Sequence, residues 1–181
     1  NPRLNVRLEH ASRQPPLVIV DSTLQTPLDA ALLMESRPVY IYAAQPNSER
    51  KRAWEARGAT VIYLPGTQVG ESCTTKVDLL AMLQDLGRRE VNELHVEAGQ
   101  RLNGAFVREG LVDEFLVYMA PRLLGTGREL AAFGPLERLE DTHLSLPSYN
   151  TDPRWATGAN KARRFHDLAA AVLVAGGNAI G

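Results

Sequence analysis

The stretch Val96-Glu97-Ala98-Gly99-Gln100-Arg101-Leu102-Asn103-Gly104-Ala105 decides the reading of this chain. A short apolar strand ends in a carboxylate, a glycine turns the backbone, and a helix begins at once. The first turn of a helix carries N–H groups without intrahelical partners, and the positive end of the helix dipole lies there too, so such a turn attracts anions. Glycine lets a phosphate come close to the backbone. An ordinary βα turn whose glycines only ease packing has the same spacing, because neither G-x-G-x-x-G nor the P-loop pattern is met. Both readings make the stretch a strand–turn–helix unit.

The same alternation extends in both directions. Leu17-Val18-Ile19-Val20, Val39-Tyr40-Ile41-Tyr42 and Thr60-Val61-Ile62-Tyr63-Leu64 are short β-branched or aromatic runs that read as buried strands. Asn47-Ser48 is a helix N-cap signal and Gly58 a stop, which predicts a helix over 48–57. A second helix is expected over 76–89, with Leu79, Leu80, Leu83 and Leu86 on its buried face. Glu93 to Glu97 is a strand, Gln100 to Arg108 a helix ended by Gly110, and Val112 to Met119 a further strand. A helix over 160–168 and a strand at Ala171-Val172-Leu173-Val174 close the pattern. Strands that alternate with helices imply βαβ units, hence an α/β fold with a mostly parallel central sheet.

The 181 residues suit one domain. One cysteine, Cys73, excludes an internal disulfide and a zinc site built of cysteines. His10, His95, His143 and His166 have no metal-ligand spacing, so no metal is expected. With 20 basic against 21 acidic side chains, the net charge of −1 argues against nucleic acid as a partner. No apolar run approaches the ~18–20 residues of a membrane span, and Asn1-Pro2-Arg3-Leu4 is no signal peptide. The expectation is a cytoplasmic protein. The basic clusters Arg50-Lys51-Arg52, Arg88-Arg89 and Arg163-Arg164 read as solvated helix faces. Two more polar groups follow strands: Asp21-Ser22 after Val20, and Gly176-Gly177-Asn178 after Val174 and Ala175. Each suits a ligand contact or a plain turn.

Val96 to Ala105, with Gly110-Leu111-Val112-Asp113-Glu114 and Ala120-Pro121-Arg122-Leu123-Leu124-Gly125, resembles the reductase domain of bacterial riboflavin biosynthesis. That family's wording is V-E-A-G-P-T-L-A-G-A, then G-L-V-D-E, then A-P-K-L-L-G. Asn1 to Arg7 resembles its D-P-x-L-x-V-R segment and Val18 to Ser22 its V-x-D-S strand end. Trp155-Ala156-Thr157-Gly158 and Ala162-Arg163-Arg164 resemble its W-I-T-G and A-R-R. The order differs: residues 150–181 match the family's N-terminal part and 1–146 the rest, so the segments read as circularly permuted, with Gly181 leading back toward Asn1.

The resemblance implies a dihydrofolate-reductase-like, three-layer fold with helices on both sheet faces. It also implies NADPH-dependent reduction of 5-amino-6-(5-phosphoribosylamino)uracil, a phosphorylated pyrimidine, to its ribitylamino product. By matching position, Trp155, Asn178, Ser22, Gly99, Gln100, Arg101, Leu102, Asn103, Gly104 and Ala105 would bind the cofactor. Leu4, Arg7 and Glu97 would bind substrate. Gln100 and Arg101 replace the family's Pro and Thr, Asn178 replaces Thr, and Pro153 stands where a substrate-binding Ser is expected. The family's opening and closing strands have no match, and no residue is marked as proton donor. The resemblance further implies a homodimer and a deaminase domain in a longer parent chain, although this sequence has no zinc-deaminase signature. Two other readings stand beside the reductase: a nucleotide-binding module of the same fold without turnover, and an unrelated α/β enzyme sharing only the phosphate-binding turn.

Overall fold

The computed structural model describes residues 4–6, 13–33, 36–66, 75–115, 127 and 129–132, and the backbone of 170–175. It divides into two compact units, Asn1–Gly99 with Ala169–Gly181, and Gln100–Leu168. The division falls inside the stretch that the sequence reads as one strand–turn–helix unit.

The first unit is built on five parallel strands: β1 (Leu17–Val20), β2 (Val39–Ala43), β3 (Ala59–Tyr63), β4 (Glu93–Val96) and β5 (Ala170–Ala175), in the order β3-β2-β1-β5-β4. The last strand in sequence is therefore interior, between the central β1 and the edge strand β4. Leu17, Val18 and Ile19 are fully buried, as strands covered on both faces must be.

Side-chain parity assigns the two helices to opposite faces. Leu17, Ile19, Ile41, Ala43, Ala59 and Val61 form one core cluster with Trp54 of α1 (Ser48–Glu55). The alternate residues of β2 face α2 (Leu79–Arg88), where the Tyr42 hydroxyl meets Asp85 and the Tyr40 ring meets Arg89. Successive strand side chains point to opposite faces, so α1 and α2 lie on different sides of the sheet. Right-handed crossovers require the same, since β2–α1–β3 and β3–α2–β4 run in opposite directions across the sheet. The first unit is thus the expected three-layer α/β arrangement.

Both helices start on side-chain caps. Asn47 accepts from the Arg50 N–H at 3.0 Å, and Asp78 accepts from the Ala81 N–H at 2.8 Å. After α1, Gly58 takes φ +82°, a left-handed value open to glycine at little cost. The cap at Asp78 starts α2 later than the spacing predicts. Its buried residues are Leu79, Met82 and Leu86, while Leu80 is exposed, so the expected stripe is corrected by one position.

In the second unit α3 (Gln100–Arg108) has the predicted bounds and buries Leu102, Gly104 and Phe106. The strand expected from Val112 is not found over residues 111–115. Its remainder, the predicted helix over 160–168, and both chain ends lie outside the described residues.

Candidate functional site

In parallel α/β sheets, ligands gather beyond the carboxyl ends of the strands. Register fixes which residues meet there. Val18 pairs with Leu173, and Leu173 with Val96. The carboxyl ends of β1 and β4 therefore lie on the same edge of the sheet, where Asp21 and Ser22 follow Val20, and Glu97 to Gly99 follow Val96.

The β1 end is built in detail. Asp21 is 1% exposed. Its carboxylate accepts from the Thr26 N–H at 2.6 Å, the Thr26 hydroxyl at 2.7 Å and the Thr23 N–H at 3.4 Å. A buried carboxylate needs such donors to offset lost hydration. The half-buried Ser22 offers its carbonyl to the N–H groups of Ala44 and Gln45, at 3.0 and 2.8 Å. The turn after β1 is thereby tied to the turn after β2. Arg50 of α1 donates through Nε to the Leu24 carbonyl at 2.8 Å and through Nη2 to the Thr26 carbonyl.

At the β4 end, Glu97 and Gly99 are exposed. Gly99 has no left-handed φ, and a Cβ there would meet nothing within 4 Å. Neither conformation nor crowding requires glycine at this position. Gly104, in the second unit, is the opposite case. A Cβ there would lie 2.0 Å from the Ala132 carbonyl oxygen, so this glycine is a packing requirement. Asn103 Nδ2 donates to the Leu130 carbonyl and Arg108 Nη1 to that of Ala132, fastening the same segment to α3.

The expected cofactor residues therefore divide. Ser22 and Gly99 stand at strand ends of the first unit, while Gln100 and Arg101, half-buried and exposed, open α3 in the second. Leu102 and Gly104 are buried in packing, Asn103 has a structural hydrogen bond, and Ala105 is half-buried. Trp155, Asn178 and Arg7 lie outside the described residues. Leu4 is held elsewhere: its carbonyl accepts from Arg37 Nη1 at 2.6 Å, and its side chain packs on the α1-side core. Arg37 stands two residues before β2, at the edge where strands begin. Leu4 is thus anchored at the opposite edge from Ser22. A cavity of about 510 Å³ at that edge is lined by Leu33, Arg37, Val39, Trp54 and Arg57 among others. Arg37 already serves the Leu4 and Leu32 carbonyls, which leaves Arg57 as the cation facing that space.

Sequence reading missed Asp21 as a buried acceptor and Arg50 of α1 as the donor to the turn that follows it. A three-residue basic run hid the second. Among the described residues no group of three His, Cys, Asp or Glu side chains forms a metal site, and no helix is long and apolar enough to cross a membrane.

The comparisons with known proteins agree on one family. A model of the RibD C-terminal domain matches residues 1–152. Riboflavin biosynthesis protein RibD of Escherichia coli is 31% identical over 151 residues, covering 78% of this chain and 39% of that protein. RibD of Chlamydia muridarum is 35% identical over 130 residues, covering 69% and 33%. The 5-amino-6-(5-phosphoribosylamino)uracil reductase of Buchnera aphidicola is 27% identical over 135 residues, covering 69% and 61%. The chain spans between 33% and 39% of these two RibD proteins. Residues 153–181, the source of β5, lie outside the family match.

Proposed function

We propose, on the premise that the chain belongs to the RibD C-terminal domain family, that it reduces 5-amino-6-(5-phosphoribosylamino)uracil with NADPH to the ribitylamino product of riboflavin biosynthesis. The observation that carries this reading is the carboxyl edge of the sheet, where Ser22 follows β1 and Gly99 follows β4. The first end carries a fixed turn and the second a glycine that the fold does not require, and an open glycine suits close approach of a nucleotide to the backbone. Residues of this kind fit a dinucleotide cofactor. When bound, NADPH supplies the hydride that reduces C1′ of the ring-opened sugar.

The chain's own residues bind and orient. By family position Ser22, Gly99, Gln100, Arg101, Trp155 and Asn178 hold the cofactor. Arg7 pairs with the substrate phosphate, a contact for which a guanidinium fork is well shaped. Glu97 accepts from substrate hydroxyls at the end of β4. Leu4 is left out of this site because Arg37 holds it at the other edge of the sheet. The enzyme acts as a cytoplasmic homodimer beside a deaminase domain of a longer parent chain. The segments 150–181 and 1–146 stand in permuted order, a reading supported by the interior position of β5 beside β1 and by its lying outside the family match.

The test is direct. Purified protein is titrated with NADPH, then NADPH consumption is followed on adding the phosphoribosylamino substrate. Binding and substrate-dependent oxidation are expected, and Arg7→Ala weakens substrate far more than cofactor. Binding without oxidation assigns a nucleotide-binding module instead. Absence of NADPH binding rejects both.

A further inference from the structure

The turn that carries Ser22 is held far more firmly than a strand-end turn needs. Residues 21–26 receive five side-chain hydrogen bonds, three to the Asp21 carboxylate and two from the Arg50 guanidinium. Leu24 is fully buried and left-handed at φ +58°, a conformation that a branched side chain adopts only when its surroundings impose it. Arg50 itself is poorly placed for helix stability. It lies in the first turn of α1, where the dipole disfavours a cation. Its two backbone acceptors account for its being there.

We infer that Arg50 and Asp21 are positioning residues for the cofactor. They set the 21–26 turn so that Ser22 meets NADPH, although neither belongs to the contacts assigned to the cofactor. The inference rests on the reading of Ser22 as a cofactor contact. The chain of contacts is short: Arg50 holds the Leu24 and Thr26 carbonyls, Thr26 holds Asp21, and Asp21 directly precedes Ser22. The Ser22 carbonyl in turn bonds to Ala44 and Gln45 of the neighbouring turn. Releasing Arg50 frees the far side of the turn while β1 stays in the sheet. The consequence is a displaced cofactor group rather than an unfolded protein.

The experiment compares Arg50→Ala, Arg50→Lys, Asp21→Asn and Ser22→Ala in the full chain, all well below their melting temperatures. Melting temperature, NADPH Kd, KM for NADPH, KM for substrate and kcat are measured for each. Arg50→Ala is expected to raise the Kd and KM for NADPH about tenfold, as loss of a precisely set contact does, with KM for substrate within about twofold. Arg50→Lys, which keeps the charge but has a single donor nitrogen in place of the guanidinium fork, recovers part of that loss. A lowered melting temperature with unchanged NADPH Kd overturns the inference, because a purely structural role moves only stability. Should Arg50→Ala fail to fold, Arg50→Gln decides on the same readouts. Ser22→Ala separates the two claims. If it weakens NADPH and the Arg50 variants do not, positioning fails alone; if it leaves NADPH binding unchanged, the cofactor reading of Ser22 fails and the inference with it.

Discussion

The Tyr42 hydroxyl on β2 donates to Asp85 Oδ2 on α2 at 2.8 Å, joining elements 43 residues apart in sequence. Asp85 also accepts from Arg89 Nε at 2.7 Å and Arg88 Nη2 at 3.2 Å, and the Arg89 guanidinium lies 4.9 Å from the Tyr40 ring centroid. Tyr42 is fully buried, so its hydroxyl has no water to fall back on. Removing the acceptor leaves that donor unsatisfied, which costs ~1–3 kcal/mol. Asp85→Ala is expected to lose stability in this range in chemical denaturation, and Asp85→Asn less, because its amide oxygen still accepts. Equal stability of Asp85→Ala and wild type would refute the account.

The same pair predicts how stability responds to pH. Partial burial works to raise the Asp85 carboxyl, yet the hydrogen bonds from Arg89, Tyr42 and Arg88 bring it below its ordinary 3.8. A depressed carboxyl contributes stability above its unfolded value and loses it as pH falls through the folded one. Burial, reinforced by the Asp85 carboxylate, pushes the Tyr42 hydroxyl above its ordinary 10.0. A raised group contributes stability below its unfolded value and loses it as pH climbs past that value toward the folded one. Asp85→Asn should therefore flatten the acid limb below pH 3.8, and Tyr42→Phe the alkaline limb above pH 10.0. Melting curves across pH check both, and limbs parallel to wild type in the two variants would contradict the assignment.

Two glycines of one motif should behave oppositely. Alanine at position 104 would bring its Cβ to 2.0 Å from the Ala132 carbonyl oxygen, a backbone atom that cannot swing aside. Gly104→Ala is expected to cost about 3 kcal/mol, the upper part of the overpacking range. Gly99→Ala meets open space, and its stability should stay within about 0.5 kcal/mol of wild type. Its NADPH affinity should fall nonetheless, because the added methyl group occupies the approach to the backbone. Denaturation and NADPH titration of the two variants distinguish a packing glycine from a ligand glycine.

The contrast between Gly99 and Gly104 also marks where sequence reading stops. Local signals suffice for Leu17–Val20, where four apolar β-formers in a row fit a strand covered on both faces, and for α3, whose bounds follow from a turn and a closing glycine. They fail for Leu80, because Leu79, Leu80, Met82, Leu83 and Leu86 offer more than one apolar stripe at helical spacing, and packing on the sheet selects the one through Met82. They fail again at Leu102, Gly104 and Asn103. A motif names positions together, but only the fold shows that these three serve packing and a backbone carbonyl. Asp21 was legible as a strand-end polar residue; its burial was not, since the turn over residues 21–26 that encloses it is fastened by Arg50, 26 residues from Leu24 in sequence.

Asn47 couples a helix start to a strand end. Its side chain accepts from the Arg50 N–H at 3.0 Å, and its own N–H donates to the Tyr63 hydroxyl at 3.1 Å. Asn47→Ala removes the cap and should cost ~1 kcal/mol. Asn47→Asp keeps the acceptor and adds a negative charge at the positive helix end, so it should match wild type or exceed it. Thermal melting of both variants provides the check, with a neutral alanine variant the contrary result.

β5 is last in sequence but interior to the sheet, with four register pairs to β1 and four to β4. Its deletion leaves both neighbours with unpaired edges in the middle of the core, where lost ladder hydrogen bonds and lost burial add. A chain ending before Ala170 is expected to lose cooperative melting altogether. Placing residues 150–181 ahead of Asn1 should do the reverse. It makes β5 and β1 neighbours in sequence and shortens the loop that must close before they pair, and the entropic cost of closure grows with loop length. The rearranged chain should fold faster, with the same sheet and undiminished NADPH affinity, because fewer distant contacts speed folding. Stopped-flow refolding and NADPH titration of the two orders test this. Slower folding or lost affinity in the rearranged chain would mean that the present order of segments is the one to which this sheet is fitted.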